Sequence, residues 1–456
     1  MHPGRSAWTS FFMLRNRASI YIDRGCKGEQ ILKAVLTAGE ARSGLKSLKP
    51  QIEAYAELIV RKGVNVKPGQ EVVVQCPVES AEFCRVLVSK AYEAKAKHVT
   101  VIWADDDINR MTYEHVDIEL LKETPEWKRH QLNDLACEGA CFIFVEGADP
   151  AALKGVDPAK PAAASRARNL QCAEFRRGLD FNINPWCIAG APVLTWAREV
   201  FPGVDDDVAM YELWKAILKT ARADGPDPQN DWELHDATFD KNLRLLNGRH
   251  FDRLHYTAQN GTDLTIGLTD KHLWAGGKGK TPDGHPFFPN IPTEEVFTSP
   301  DRFRADGIVY SALPLIHNGN KVEDFWIKFE HGAVVDYGAR VGVETLKSII
   351  ETDEGARHLG EVALISKNTP IRQSGILFYD TLYDENASCH LALGVGFPEC
   401  YEDGYDMTSE ELEQRGLNHS TTHVDFMIGT DDLSIVGITA EGEEIPVFIN
   451  GQWGWE

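Results

Sequence analysis

The stretch EVVVQCPVESAEFCRVLVSKAYEAKAKHVTVIWADDD, residues 71–107, decides the fold. It opens on EVVVQC, a short β-branched run that reads as a strand. SAEFCRVLVSKAYEAKA follows with good helix formers, and Ser80 stands where an N-cap belongs. HVTVIWADDD returns to β-branched residues and reads as a second strand. Strand, helix, strand is the unit from which parallel sheets are built. The acidic end, WADDD, falls where such sheets often bind ligands, although three adjacent carboxylates more often form a solvated loop.

The same alternation extends on both sides. QIEAYAELIVRKGVNV carries Ile52, Tyr55, Leu58 and Ile59 at helical spacing, and VKPGQ is a turn signal, so regular structure is expected from Gln51. Downstream, ELLKETPEWKRHQLNDLACEG reads as helical, ACFIFVEGADP as a strand, PAAASRARNLQCAEFRRGL as a helix and PWCIAGAP as a short strand. Helices at 206–222 and 231–249 follow. Residues 51–245 therefore read as an α/β domain with a mainly parallel sheet.

Residues 246–456 have a different texture. Short strands alternate with turn residues, and few helices are expected, near 342–352 and 408–415. GNKVEDFWIKFEHGAVVDYGA reads as a hairpin turning at His331–Gly332, and SIVGITAEGEEIPVFINGQW as another. This half reads as a β-rich α+β domain of antiparallel strands. Residues 1–50 are basic and read as a loose extension.

A chain of 456 residues is long for one core, which agrees with two domains. The net charge of -22 argues against a nucleic-acid or anionic-membrane partner and would favour cationic ligands such as free amino termini. No run of about 18 apolar residues is present, so no membrane span is expected. The nine cysteines are scattered without a CxxC, which points to a reducing compartment, the cytoplasm, rather than a disulfide framework.

The chemistry collects in the second half. Glu294 and Glu295 in NIPTEEVFTSP, Glu361 in HLGEVALIS, His390 in DENASCHLALGVGF, and His423 and Asp425 in TTHVDFMIG interrupt apolar stretches. His423 and Asp425 are two apart, so on a strand they leave the same face. Each residue alone has an ordinary structural role, as a cap or a satisfied core group. Together they are a carboxylate and imidazole set without thiolates, which suits zinc, cobalt, manganese or magnesium. The zincin arrangement HExxH is absent.

These motifs carry a resemblance. NIPTEEVFTSPD, GARHLGEVALI, ILFYDTLYDENASCHLALG and THVDFMIG, in this order, resemble the M29 metallo-aminopeptidases, and VNVKPGQEVVVQCPVESAEF resembles that family's opening. The resemblance implies a homodimer that removes residues from peptides with a free N-terminus. It implies two divalent ions held in the second domain by Glu295, Glu361, His390, His423 and Asp425. Glu294 is the alternative to Glu295 and is the residue read as proton shuttle. Family members similar to this chain carry a tyrosine seven residues after the first histidine, where this chain has Phe397. A phenyl ring makes no hydrogen bond of that kind, and Tyr401 is the candidate substitute near the substrate. The rival readings are an impaired metal-binding relative and a nucleotide-dependent oxidoreductase. The latter is opposed by the missing GxGxxG and GxxxxGK[ST].

Overall fold

The computed structural model describes residues 22–24, 30–32, 36–317 and 320–455. Most of the basic stretch 1–50 lies outside the described residues. Its end is helical: Ala38–Ser47 is capped by Thr37, whose side chain accepts the Glu40 N–H while Glu40 reaches back to the Thr37 N–H. Regular structure thus begins before Gln51, and tertiary contacts hold it there. Arg42 meets Asp207 at 2.6 Å. Gly44 lets the helix lie on the Tyr211 ring, where a Cβ would come within 2.5 Å.

The opening stretch folds as strand, helix and strand. β1 (Glu71–Pro77), β2 (His98–Ala104), β3 (Cys141–Glu146) and β4 (Trp186–Gly190) lie in the order β4–β3–β1–β2. All pair in parallel, as the crossover helices require. Asn290–Ile291, far along the chain, adds a further parallel strand beside β4. Ser80 precedes the helix Ala81–Glu93, yet its hydroxyl donates to the Pro192 carbonyl and does not cap. A 3₁₀ turn at Val78–Ser80 enters the helix instead, and its Val78 carbonyl takes the Ala81 N–H. The WADDD acids serve the loop: Asp105 accepts the Ile108 N–H at the next helix, and Asp106 accepts that of Asp149.

The second half is antiparallel. Its larger sheet runs from Leu315–His317 through the hairpin strand Asn320–Glu330 to Gln452–Trp453. The hairpin does turn at His331–Gly332, both with positive φ, 50° and 83°, the geometry that matches strand twist. The smaller sheet contains β5 (Val296–Thr298), β6 (Leu359–Leu364), β7 (His390–Gly394) and β8 (His423–Met427), in the order β8–β7–β6–β5, with Ala275–Gly276 beyond β5. Leu391, Leu393, Val424 and Phe426 from one face of this sheet join a core with Leu264, Ile266 and Ile327 of the larger sheet.

The two halves share more than a linker. Phe288, Ile291, Ile371, Phe378 and Tyr383 are buried in the core that also contains β1, β3 and β4. Among the described residues no helix is long and apolar enough to cross a membrane, and all the described cysteines are free.

Candidate metal centre

The face of the smaller sheet opposite its apolar core is polar, and register explains how it forms. Glu361 on β6 pairs with Ala392 on β7, and Ala392 pairs with Asp425 on β8. The three form one row across the sheet with a methyl group between two carboxylates. His390 lies two residues from Ala392, and His423 two from Asp425, so all share that face. Gly394 pairs with His423; its φ is 115° and a Cβ there would strike the Thr422 carbonyl at 2.1 Å. Small residues on β7 thus leave room for large polar ones on its neighbours. A bulge between Leu359 and Glu361 lies at the same place, as bulges often do beside functional groups. Glu295 enters from the residue before β5.

Two triads result. Ligand atoms of Glu295, Glu361 and His390 lie within 4.8 Å of one another, and so do those of Glu361, His423 and Asp425. Glu361 belongs to both. His423 Nε2 is 3.1 Å from Glu361 Oε2 and 3.2 Å from Asp425 Oδ1, and His390 Nε2 is 3.4 Å from Glu295 Oε2. His423 Nδ1 lies 2.9 Å from the Val395 carbonyl, and His390 Nδ1 lies 3.1 Å from that of Glu385. A carbonyl only accepts, so each Nδ1 carries its proton and each Nε2 faces the carboxylates.

The cluster sets three carboxylates against two imidazoles. Burial raises the Glu295 carboxyl to about 8, and the neighbouring Glu361 adds to the shift. Burial alone would lower His423, yet Asp425 and Glu361 carry it well above the imidazole range. Burial likewise works against Asp425, but His423 and His390 bring it down to about 2. Asp425 Oδ1 is buried without a hydrogen bond. Among the described residues no lysine or arginine pairs with Glu295, Glu361 or Asp425; their ion-pair partners are the two histidines. Crowded carboxylate oxygens, one of them buried without a hydrogen bond, and two imidazole Nε2 atoms turned toward them fit divalent cations.

The structure separates the adjacent glutamates. Glu295 lines the cavity above the cluster. Glu294 turns the other way, as neighbours on extended chain do. Arg222 Nη1 and Nη2 grip its two oxygens at 2.5 and 3.0 Å, and His235 Nε2 is 3.8 Å away. Its N–H donates to Asn386 Oδ1 at 2.7 Å. Phe397 does approach the cluster, with its ring centroid 4.9 Å from that of His423. Tyr401 does not. It is buried against Leu412 and Leu417, and its hydroxyl donates to Asp270 at 3.0 Å. Its location on the far side of the 3₁₀ turn Pro398–Cys400 removes it from the cavity wall.

Glu385 was missed by the sequence reading. It lines the cavity, and burial followed by Asp425 and Glu295 raises its carboxyl well above the usual range. The signal lay in TLYDENASCH, five residues before His390. Spacing alone does not say whether Asp384 or Glu385 faces inward.

The cavity has a volume of about 760 Å³ and draws its wall from both halves, including Phe142, Asn182 and Ile188 from the first.

Comparison with known proteins follows the same outline. A family model described as thermophilic metalloprotease (M29) matches residues 48–453. The chain is 44% identical to aminopeptidase AmpS of Bacillus subtilis (strain 168) over 411 residues, 90% of this chain and 100% of AmpS. It is 39% identical to aminopeptidase T of Thermus aquaticus over 402 residues, 88% of this chain and 98% of that protein. The solved structure of wild-type AmpT from Thermus thermophilus superimposes with a TM-score of 0.83 at 38% identity, covering 89% of this chain and 100% of AmpT.

Proposed function

This chain belongs to the M29 metallopeptidase family, and on that premise we propose that it is an aminopeptidase that cleaves the first residue from peptides with two divalent ions at its centre. Glu295, Glu361 and His390 would hold one ion, and Glu361, His423 and Asp425 the other. The observation that carries this reading is that Glu361 belongs to both triads. Bound divalent ions supply an acidified water and polarise the peptide carbonyl.

The residues of the chain do the rest. The Val395 and Glu385 carbonyls hold the two imidazoles in the tautomer that presents Nε2. Arg222 fixes Glu294, and Asn386 fixes the backbone of the same residue, which aims Glu295 into the cavity. The proton given up by water needs a carboxylate to carry it to the leaving nitrogen. Glu294 is committed to Arg222 outside the cavity, so Glu385 is the better assignment. Its Oε1 takes only a long 3.4 Å hydrogen bond from Asn386.

Zinc, cobalt, manganese and magnesium all suit this donor set. The family resemblance supports a homodimer, and the free cysteines support a reducing compartment such as the cytoplasm. The test is hydrolysis of leucine p-nitroanilide by chelated protein with single ions added back, alongside the metal content by mass spectrometry. Activity restored at two ions per chain is expected. Full activity after exhaustive chelation would overturn the proposal. Two bound ions without turnover would favour the impaired relative, for which Phe397 in place of a phenol is the supporting observation.

A further inference from the structure

The cavity wall continues past the cluster to Glu399, on the 3₁₀ turn Pro398–Cys400. This residue is built in from both halves of the molecule. Its Oε2 accepts hydrogen bonds from Asn182 Nδ2 at 3.1 Å and from the Tyr405 hydroxyl at 2.7 Å. Asn182 is held in turn by Trp186 Nε1 at 3.3 Å. Both bonds fall on Oε2, and Glu399 has no ion pair among the described residues. Two cations on the same wall have partners of their own, Arg176 with Asp180 at 2.6 Å and Lys278 with Asp236 at 2.8 Å, and Arg168, which also lines the wall, is not among the charges that act on Glu399. A fixed, half-buried carboxylate without a counter-charge favours an incoming cation.

The surroundings define the shape of that cation. Phe181 and Tyr405 lie with ring centroids 5.8 Å apart, and both line the cavity together with Phe397. Aromatic faces beside a carboxylate suit a long aliphatic stem that ends in positive charge. Glu399 lies outside the groups that converge on the two triads, and Glu361 is the member of that cluster whose charge acts on it.

We propose that Glu399 is the charged end of the subsite for the substrate's first side chain, and that it selects peptides beginning with arginine or lysine. This rests on the aminopeptidase reading above. Cleavage of the first peptide bond keeps the α-nitrogen beside the cluster, so the group that extends along the wall to Glu399 is the side chain.

The test compares fluorogenic amides of arginine, its neutral isostere citrulline, lysine and leucine on the metal-loaded enzyme. Wild-type kcat/KM is expected to favour arginine over citrulline by about 10- to 100-fold, the worth of one charged hydrogen-bonded contact. Glu399→Gln should erase that ratio and change leucine turnover less than about twofold, since the amide keeps an acceptor for Asn182 and Tyr405. Equal treatment of arginine and citrulline by the wild type overturns the proposal. So does a variant that loses leucine and arginine turnover alike. If no amide is hydrolysed, the aminopeptidase reading fails on its own account. The subsite is then decided by binding: argininamide must raise the melting temperature more than citrullinamide, and Glu399→Gln must remove the difference. Equal shifts overturn it.

Discussion

The parallel sheet and the smaller antiparallel sheet are both buried, yet they treat burial in opposite ways. In β1 the buried positions are Val72, Val74 and Cys76 on one face and Val73 on the other, and each valine contributes about 2 kcal/mol of hydrophobic stability. Every position of β6 is buried too, but Glu361 sits among them, facing His390, His423 and Asp425 across the sheet. Without a cation that face holds crowded carboxylates, and the climb of Glu295 to about 8 records the cost. One sheet buries apolar side chains. The other has one stable face and one face that a ligand must complete, the usual tension between stability and function.

The sharpest way to break this comparison is Glu361→Ala. It removes the residue common to both triads, so kcat/KM should fall by at least about 1,000-fold, the scale of losing a principal electrostatic element. The melting temperature of the chelated protein should hold or rise, because a repelled carboxylate has gone. A chelated variant that melts well below the chelated parent would show that the polar face contributes stability after all.

Ile143→Ala on β3 is the converse. A fully buried side chain in the parallel sheet is lost, and stability should drop by about 3 kcal/mol in urea unfolding. Metal content by mass spectrometry should stay unchanged. A fall in bound metal would mean that the two sheets are coupled.

Asp384 lies at the seam between the regions and gives a pH-dependent effect. It is buried, and desolvation raises its carboxyl to about 7 in spite of backbone hydrogen bonds from Phe378 and Asp380. The unfolded value is about 4. Its stabilising contribution is therefore complete below pH 4 and is lost as pH rises through 7, on the order of 3 to 4 kcal/mol in all. Asp353 runs the other way: the Thr421 and Ser420 hydrogen bonds outweigh its burial and hold it at about 2. Its contribution is lost only as pH falls from about 4 towards 2, outside the Asp384 window. Melting curves of Asp384→Asn between pH 4 and 7 should be flatter than those of the parent. An unchanged slope would remove Asp384 from the account.

The smallest effect expected is a gain. Phe397→Tyr adds a hydroxyl to a ring that packs on His423, where the family resemblance implies a phenol, and should raise kcat by about 3- to 10-fold, one hydrogen bond's worth. No gain in steady-state assays would show that this cavity works without a phenol.

Much of this molecule was legible from its chain. The β-branched runs and their intervening helices marked the parallel half, and Gly332 marked a hairpin, because backbone preferences act within a few residues. The pairing of His423 with Asp425 on one face followed from the strand pleat alone. The ordered motifs pointed to the family. Local reasoning went wrong where a distant group intervened. Ser80 caps no helix because the Pro192 carbonyl takes its hydroxyl. The helix ending at Ser47 forms against a partner more than 150 residues away, since Asp207 and Tyr211 hold it.

The sequence by itself determined the strand and helix alternation and offered the carboxylates and imidazoles that are candidates for a metal site. Only the tertiary structure decided that Glu295 faces the cavity while Glu294 turns to Arg222, that Glu385 lines the cavity beside the cluster, that Tyr401 turns to Asp270, and that Asn182 comes from the other half to hold Glu399. The physical reason is range. Propensity and pleat period are set by neighbours along the chain, whereas strand register and long-range hydrogen bonds select which side chains meet.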